Sequence, residues 1–152
     1  MYESNYGLRN NFDFSSEVAH FNNDLEPIII IFDIETGGFE KTDDTLQIAA
    51  KSICEKYEFS IYIQPTKSIT EEASLVNKLY FDNGNLEYDG KQVITVSLEE
   101  ALSSFYDFLC LFKRKCVLIA HNCEAFDGPR LVAAIHKTQM NIPEEIKKAK
   151  TN

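Results

Sequence analysis

The sequence predicts an α/β domain, because strand-like apolar segments alternate along the chain with segments that have the pattern of helices. A β-branched apolar run at residues 28–34 is followed by two further strand-like segments. A capped amphipathic helix then precedes another short apolar run. At 152 residues the chain has the size of a single domain that can bury a sizeable core.

The composition is that of a globular protein, with 44% hydrophobic and 26% charged residues. The net charge of -9 is unevenly distributed, since residues 1–60 contain 12 acids and 4 bases whereas residues 61–152 contain 12 acids and 11 bases. A large basic surface that tracks nucleic-acid phosphates is therefore disfavoured. A small acidic pocket filled by cations is still compatible with this charge.

Residues 1–26 are polar and lack periodicity, so we interpret them as an irregular N-terminal arm ahead of a domain at residues 27–152. The arm has no basic and apolar signal-peptide regions, and the apolar run that follows is too short to cross a bilayer. The cysteines form no CxxC pair and are interpreted as buried thiols of a reducing compartment. They are Cys54, Cys110, Cys116 and Cys123. We therefore expect a soluble intracellular protein, nuclear or cytoplasmic, with no membrane partner, and the oligomeric state is left open.

Three strands are predicted in the first half of the domain. The continuous β-branched run at residues 28–34 is typical of a strand buried on both faces. Residues 46–53 and 57–64 predict two more strands, with a turn between them at CEKYE. The short connections predict that the three strands form a meander.

Helices and a turn-rich segment are predicted next. Residues 70–79 favour a helix, because Thr70 precedes two glutamates that suit a first turn. The segment FDNGNLEYDG is turn-rich, with Asn-Gly and Asp-Gly pairs. Ser97 and Glu100 form a capping box that begins a longer helix. Its apolar face is predicted to contain Leu98, Ala101, Leu102, Phe105, Phe108, Leu109 and Phe112.

The last predicted elements are a short buried strand at residues 116–120 and a helix at residues 126–136. In that helix Leu131, Val132 and Ile135 are expected to face inward.

Two acidic residues directly follow the first apolar run, in the segment FDIETGGF. Because side chains alternate along a strand, Asp33 and Glu35 are expected on one face and the neighbouring Phe32 and Ile34 on the other. Two ionised carboxylates this close repel each other, and a divalent cation compensates that repulsion. A strand end with solvated acids and a glycine turn is the structural alternative. An aspartic-protease loop and a dinucleotide site are disfavoured by the residues that follow.

A second acidic motif lies in VLIAHNCEAFDGPRL, residues 117–131. The polar pair His121-Asn122 leads from the apolar run into a helix start, and Asp127 lies near that start. Pro129 falls in the opening turn, where proline is tolerated. An acid at a helix N-terminus also has a structural explanation through the helix dipole. Both explanations remain open for this motif alone.

The combination of FDIETGGF, DTLQIAA, a capped helix and LIAHNCEAFD, in this order, resembles the DEDD (DnaQ-like) 3′→5′ exonucleases. The resemblance extends over roughly residues 27–137. It implies a ribonuclease H-like mixed sheet with flanking helices. It also implies two divalent cations, Mg²⁺ or Mn²⁺, and a substrate that is the 3′ end of single-stranded DNA or RNA.

The resemblance also implies residue roles. Asp33 would bridge the two ions, Glu35 would hold one ion and orient the attacking water, and Asp127 would contact the other ion. The terminal nucleotide would be contacted by Thr36, through its backbone, and by Asn122 and Phe126.

The third motif of this family, which supplies a histidine and a fourth aspartate, has no counterpart in the sequence. No aspartate follows Asp127, and His136 is interpreted as a surface residue. Three explanations stay open: a truncated exonuclease, a degenerate relative that binds nucleic acid or protein without cutting, or a site completed by a partner chain. The three intact acids favour truncation. We therefore expect a fold that lacks its C-terminal part, an uncovered apolar face on one side of the sheet, and an inactive isolated chain.

Overall fold

The computed structural model describes residues 22, 24–53 and 57–138. Most of the predicted N-terminal arm, most of the turn at CEKYE and Cys54 lie outside these residues. In the part that is described, no helix has both the length and the apolar character needed to cross a membrane. The elements are, in chain order, β1 (Ile28–Thr36), β2 (Thr45–Ser52), β3 (Glu58–Ile63), α1 (Glu71–Asn77), β4 (Leu79–Asp82), β5 (Asn85–Tyr88), β6 (Lys91–Gln92), β7 (Thr95–Val96), α2 (Leu98–Cys110), β8 (Cys116–Ile119), a π-helical turn (Cys123–Asp127) and α3 (Gly128–Thr138).

The main sheet has five strands in the order β7-β3-β2-β1-β8. Strands β1, β2 and β3 pair antiparallel, which confirms the predicted meander. β8 pairs parallel with β1, and β7 pairs parallel with β3. The sheet is therefore mixed, and the α/β class that the sequence predicts is confirmed.

The prediction that β1 is buried on both faces is wrong. Its residues alternate between buried and accessible, so that Ile30 is 0% exposed whereas Ile29 and Ile31 are 39% and 45% exposed. Helices α2 and α3 supply buried residues to the core that contains Ile30. The opposite face of β1 carries Ile29 and Ile31, which do not belong to that core cluster. A continuous apolar run has the same appearance whether one face or two are covered.

Two smaller burial predictions, for β8 and for α3, are also wrong. β8 alternates between half-buried and exposed residues, because it is the outer strand beside β1 and shares its open face. In α3 the side chain of Val132 is 52% exposed, and Ala134 takes the expected inward position beside Leu131. The helix begins at Gly128, after the π-helical turn, and this start sets which residues face inward.

The predicted start and apolar face of α2 are confirmed. Ser97 and Glu100 form the capping box in both directions, so the backbone N–H groups of these two residues are satisfied at the start of the helix. The predicted apolar residues are buried or packed against the main core. Phe105 and Phe108 contact Phe59 of β3, with ring centroids 5.5 and 5.4 Å away. The helix is thus attached to the sheet by aromatic packing.

The turn-rich segment contains strands that the sequence analysis missed. β4, β5 and β6 form a separate three-stranded antiparallel sheet. Positive φ angles at Asn83, Gly84, Asp89 and Gly90 give the two hairpin turns, at the Asn-Gly and Asp-Gly pairs where turns are predicted. Leu79 and Leu86 of this sheet pack on Leu46 of β2 in a second, smaller core.

Candidate active site

The first acidic pair lies at the carboxyl end of β1. Asp33 and Glu35 occupy alternate positions with Phe32 and Ile34, which are buried at 3% and 2% exposure on the helix-covered face. The two carboxylates therefore share the open face. The pairing of β1 with β2 shifts register between Glu35 and Thr36, where the strand leaves the regular sheet.

Asp127 is brought to the same end of β1 by the π-helical turn. Its carboxylate Oδ1 accepts a hydrogen bond from the backbone N–H of Ile34 at 3.0 Å, and its side chain is buried at 4% exposure. Strand β8 pairs with β1 only as far as Ile31. Asp127 thus satisfies a strand N–H beyond the end of β8, and that N–H lies between the two acids of the first motif.

The π-helical turn depends on a glycine that the sequence analysis did not single out. The N–H of Gly128 donates to the carbonyl of Cys123, five residues earlier, which is the hydrogen-bond span of a π-helix. A Cβ at Gly128 would lie 2.5 Å from that carbonyl oxygen. Only glycine fits this close approach without movement of the backbone. The wide turn is directly followed by α3, and its last residue is Asp127.

The pKa values of Asp33 and Glu35 are both raised above their ordinary values. The pKa of Asp33 is raised, first by partial burial and then by the negative charge of Asp127. The pKa of Glu35 is raised by burial and by the charge of Asp33, with a smaller contribution from Asp127. A hydrogen bond between Asp33 and Glu35 lowers the pKa of Asp33 and raises that of Glu35. The two carboxyls therefore retain protons more readily than isolated acids.

Asn77 is a second residue that the sequence analysis missed. It ends α1, is 9% exposed, and its Nδ2 donates to the carbonyl of Thr36 at 3.0 Å. Its side chain also hydrogen-bonds Glu35, which lowers the pKa of that carboxyl. Its Oδ1 accepts the N–H of Leu79. No single-sequence pattern indicates this contact, because 41 residues separate Asn77 from Thr36.

The remaining predicted residues lie around these acids in different environments. Thr36 is buried, and its Oγ1 donates to the carbonyl of Gly38 at 2.7 Å. Asn122 is exposed, precedes the π-helical turn and makes no capping hydrogen bond with its side chain. Phe126 is half-buried, and the guanidinium of Arg130 lies over its ring. His136 is exposed, as predicted.

The donor set of the cluster consists of carboxylate oxygens, which are ligands that hard divalent cations prefer. Burial and neighbouring negative charge raise the pKa values of both Asp33 and Glu35, so a cation placed beside them would relieve repulsion, and the chemistry of the residues fits such an ion. Within residues 24–53 and 57–138, however, no three acidic, histidine or cysteine side chains are grouped as a ready-made metal centre. The compatibility of these acids with a divalent cation therefore depends on their charge and on their carboxylate oxygens.

Comparison with known proteins gives a likeness in structure alone. No family model matches the chain, and no curated protein matches its sequence. Among solved structures, ligand-free Exonuclease I is similar at a TM-score of 0.57 and 15% identity, over 74% of this chain and 25% of that one. Escherichia coli Exonuclease I in complex with a dT13 oligonucleotide gives a TM-score of 0.56 at 15% identity, over 74% and 24%. A zinc-bound complex of the Escherichia coli enzyme with single-stranded DNA gives 0.57 at 15% identity, over 74% and 24%.

The matched region is about a quarter of the length of Exonuclease I. At this identity the likeness concerns the arrangement of strands and helices, not the side chains of the site. The mixed five-stranded sheet and the helices that flank it have the ribonuclease H-like fold of an exonuclease.

Proposed function

We propose that this chain is a metal-dependent 3′→5′ exonuclease domain of the DEDD type, which acts on the 3′ end of single-stranded DNA or RNA. The observation that carries the proposal is the hydrogen bond from Ile34 to Asp127, because it joins the second acidic motif to the strand position between Asp33 and Glu35. The likeness of the fold to Exonuclease I supports the class of reaction. The complex of that enzyme with an oligonucleotide motivates single-stranded DNA as the first substrate to test.

In this proposal Asp33, Glu35 and Asp127 hold two divalent cations, Mg²⁺ or Mn²⁺. When bound, such ions stabilise the attacking and leaving oxygens of an in-line displacement at phosphorus. Asp33 would serve both ions, Glu35 would hold one ion and orient the attacking water, and the N–H of Ile34 keeps Asp127 in place. Asn77 positions Glu35 through its side-chain amide.

The substrate end is held by three further residues in the same proposal. Thr36 contacts the terminal nucleotide through its backbone, at the point where β1 leaves the sheet. The exposed amide of Asn122 and the half-buried ring of Phe126 line the opposite side. An aromatic ring is suited to this task because every base has a face on which it can stack.

A non-catalytic module that binds nucleic acid or protein on the same fold is the second candidate. It is favoured by the described residues, among which no three acidic, histidine or cysteine side chains are grouped as a metal centre.

The test measures metal binding first and cleavage second. Mn²⁺ and Mg²⁺ are titrated into the 152-residue chain by calorimetry, and stepwise shortening of a 5′-labelled single strand from its 3′ end is then followed with each metal. Asp33→Ala should abolish both signals, whereas Asp82→Ala removes an exposed acid of β4 and should leave both unchanged. A third titration, with the same labelled strand and no metal, tests the binding module, which is favoured if the strand binds and still binds in Asp33→Ala. Equal metal binding by both variants would overturn the assignment of the acids.

A further inference from the structure

Arg130 is a buried cation that has no role in the proposed chemistry. It lies in the first turn of α3, three residues after Asp127, and is 9% exposed. Arginine is seldom buried without partners, because the loss of hydration has to be offset by hydrogen bonds or opposite charges. The partners of Arg130 come from two parts of the chain that are far apart in sequence.

The first set of partners is the loop that follows the first acidic motif. Nη2 of Arg130 donates to the carbonyl of Phe39 at 2.8 Å, and the carbonyls of Glu40 and Gly38 lie 3.4 and 3.5 Å from the same nitrogen. Three consecutive carbonyls thus face one guanidinium. The loop begins directly after Thr36 and Gly37, so the contact attaches it to α3.

The second partner is the aromatic ring ahead of Asp127. The guanidinium carbon of Arg130 lies 3.7 Å from the centroid of the Phe126 ring, within the range of a cation–π interaction. Burial lowers the pKa of Arg130, and the negative charges of Asp43, Asp127 and Glu40 offset part of that shift. One side chain therefore contacts both the loop after the first motif and the ring of the second.

We propose that Arg130 is a positioning residue that sets the separation between loop 38–40 and the Phe126 ring, and so organises the opening that receives the substrate end. This inference rests on the proposed function. The side chain of Phe39 on the loop is 60% exposed, so the loop presents one aromatic ring to solvent while Phe126 supplies another. Bases stack on aromatic rings only where the rings are held at suitable positions, and a small displacement of a positioning group lowers binding and rate strongly.

The experiment compares three variants of the 152-residue chain. Arg130→Met removes the donors and the charge. Arg130→Lys keeps one ammonium that can face the same carbonyls but cannot lie flat on the ring. Lys137→Met is the matched control, because Lys137 is also on α3, is 62% exposed and lies 3.6 Å from Asp44. Each variant is measured for amide hydrogen exchange in residues 37–44, for Mn²⁺ affinity, and for affinity toward a 5′-labelled oligothymidylate in Mn²⁺.

In Arg130→Met we expect faster exchange at Glu40 and Asp43, whose N–H groups are hydrogen-bonded within the loop. Oligonucleotide affinity should fall about tenfold or more, the effect of losing one stacked base, without weaker Mn²⁺ binding. Arg130→Lys should restore the exchange protection and part of the affinity, and Lys137→Met should match the unaltered chain. If Arg130→Met simply unfolds, it will lose Mn²⁺ binding as well. In that case Arg130→Lys is the variant that is compared with the unaltered chain.

If amide hydrogen exchange in residues 37–44 is unchanged in Arg130→Met, the inference is overturned, whatever the chain binds. Oligonucleotide binding that is equal in the unaltered chain and in Arg130→Met would overturn it while leaving the proposed function in place. Absence of oligonucleotide binding by the unaltered chain would overturn the proposed function, and the inference with it.

Discussion

The two faces of the five-stranded sheet are built from the same strands but differ in what covers them. On one face, Ile30, Phe32 and Ile34 of β1 pack under α2 and α3 in a continuous core. On the other face, β1 presents Ile29, Ile31, Asp33 and Glu35, and β8 adds Val117 and Ile119, all of them at least partly accessible. The buried core and the acid pair therefore lie on opposite sides of a single strand.

The open face is itself divided. Its β2–β3 half is polar, with Lys51 and Glu58 in an ion pair and Gln47 hydrogen-bonded to Ser60. Its β1–β8 half is apolar, with side-chain exposures of 39–45%. Among the described residues, a partly exposed apolar surface thus lies next to the acid cluster. β1 therefore has one face that packs in the core and holds the strand in place, and a second face that is accessible at its acid end.

The largest expected effect is on the covered face. Phe105→Ala should lower the free energy of unfolding by about 3–5 kcal/mol, the usual loss for a buried phenylalanine, because this ring is 4% exposed and packs on Phe59 and Phe108. Ile31→Ala on the open face should lower it by less than about 1 kcal/mol. Urea unfolding followed by circular dichroism measures both. Equal losses would show that the open face is covered in solution.

A smaller effect is expected at the π-helical turn. Gly128→Ala places a Cβ against the Cys123 carbonyl, so we expect a loss of about 1–3 kcal/mol in the free energy of unfolding, typical of overpacking. The displaced turn should also withdraw Asp127 from Ile34 and weaken Mn²⁺ binding. Ala133→Gly on the exposed side of α3 is the control, since it costs about 1 kcal/mol through helix propensity alone. Mn²⁺ binding retained in Gly128→Ala would contradict the link between the turn and the acid cluster.

Substitution of the acids on the open face is expected to increase the free energy of unfolding, in contrast to the two preceding substitutions, and the increase depends on pH. Because the pKa values of Asp33 and Glu35 are raised above their ordinary values of 3.8 and 4.5, the folded chain binds more protons than the unfolded chain. This pair therefore lowers stability as the pH rises from those ordinary values through the raised folded ones. Asp33→Asn combined with Glu35→Gln should stabilise the metal-free chain at pH 7, and the gain should vanish below about pH 4.

Melting temperatures at several pH values, without metal, check this prediction. Asp82→Asn combined with Glu99→Gln removes two exposed acids and serves as the control. A double variant of Asp33 and Glu35 that is less stable than the unaltered chain at pH 7 would show that the cluster is stabilising as it stands.

The smallest effect on stability is expected for the apolar half of the open face. Ile31→Thr with Ile119→Thr replaces two cross-strand neighbours with another β-branched residue, so the free energy of unfolding should change by less than about 1 kcal/mol. Binding of an apolar dye and self-association should decrease, because a contiguous apolar patch promotes both. Light scattering and dye fluorescence measure these effects. A cooperative loss of folding would show instead that the two residues are buried in solution.

Local patterns predicted those features that depend on nearby residues. The capping box at Ser97, the helical period of α2 and the hairpin turn at Asn83-Gly84 are decided by contacts within a few residues, and the structure confirms them. The double burial of β1 and the inward position of Val132 were predicted wrongly. Both depend on which neighbour lies across an element, and hydrophobic periodicity does not contain that information.

The sequence by itself determined the α/β order of elements, the alternation that puts Asp33 and Glu35 on one face, and the excess of acids near them. These follow from strand geometry and from composition. Only the tertiary structure decided that Asp127 accepts the N–H of Ile34, that Asn77 donates to Thr36, and that Arg130 contacts the loop at Phe39. Each of these contacts joins residues 41 or more positions apart, and such pairs meet only where the packing of strands and helices around the core brings their backbones together.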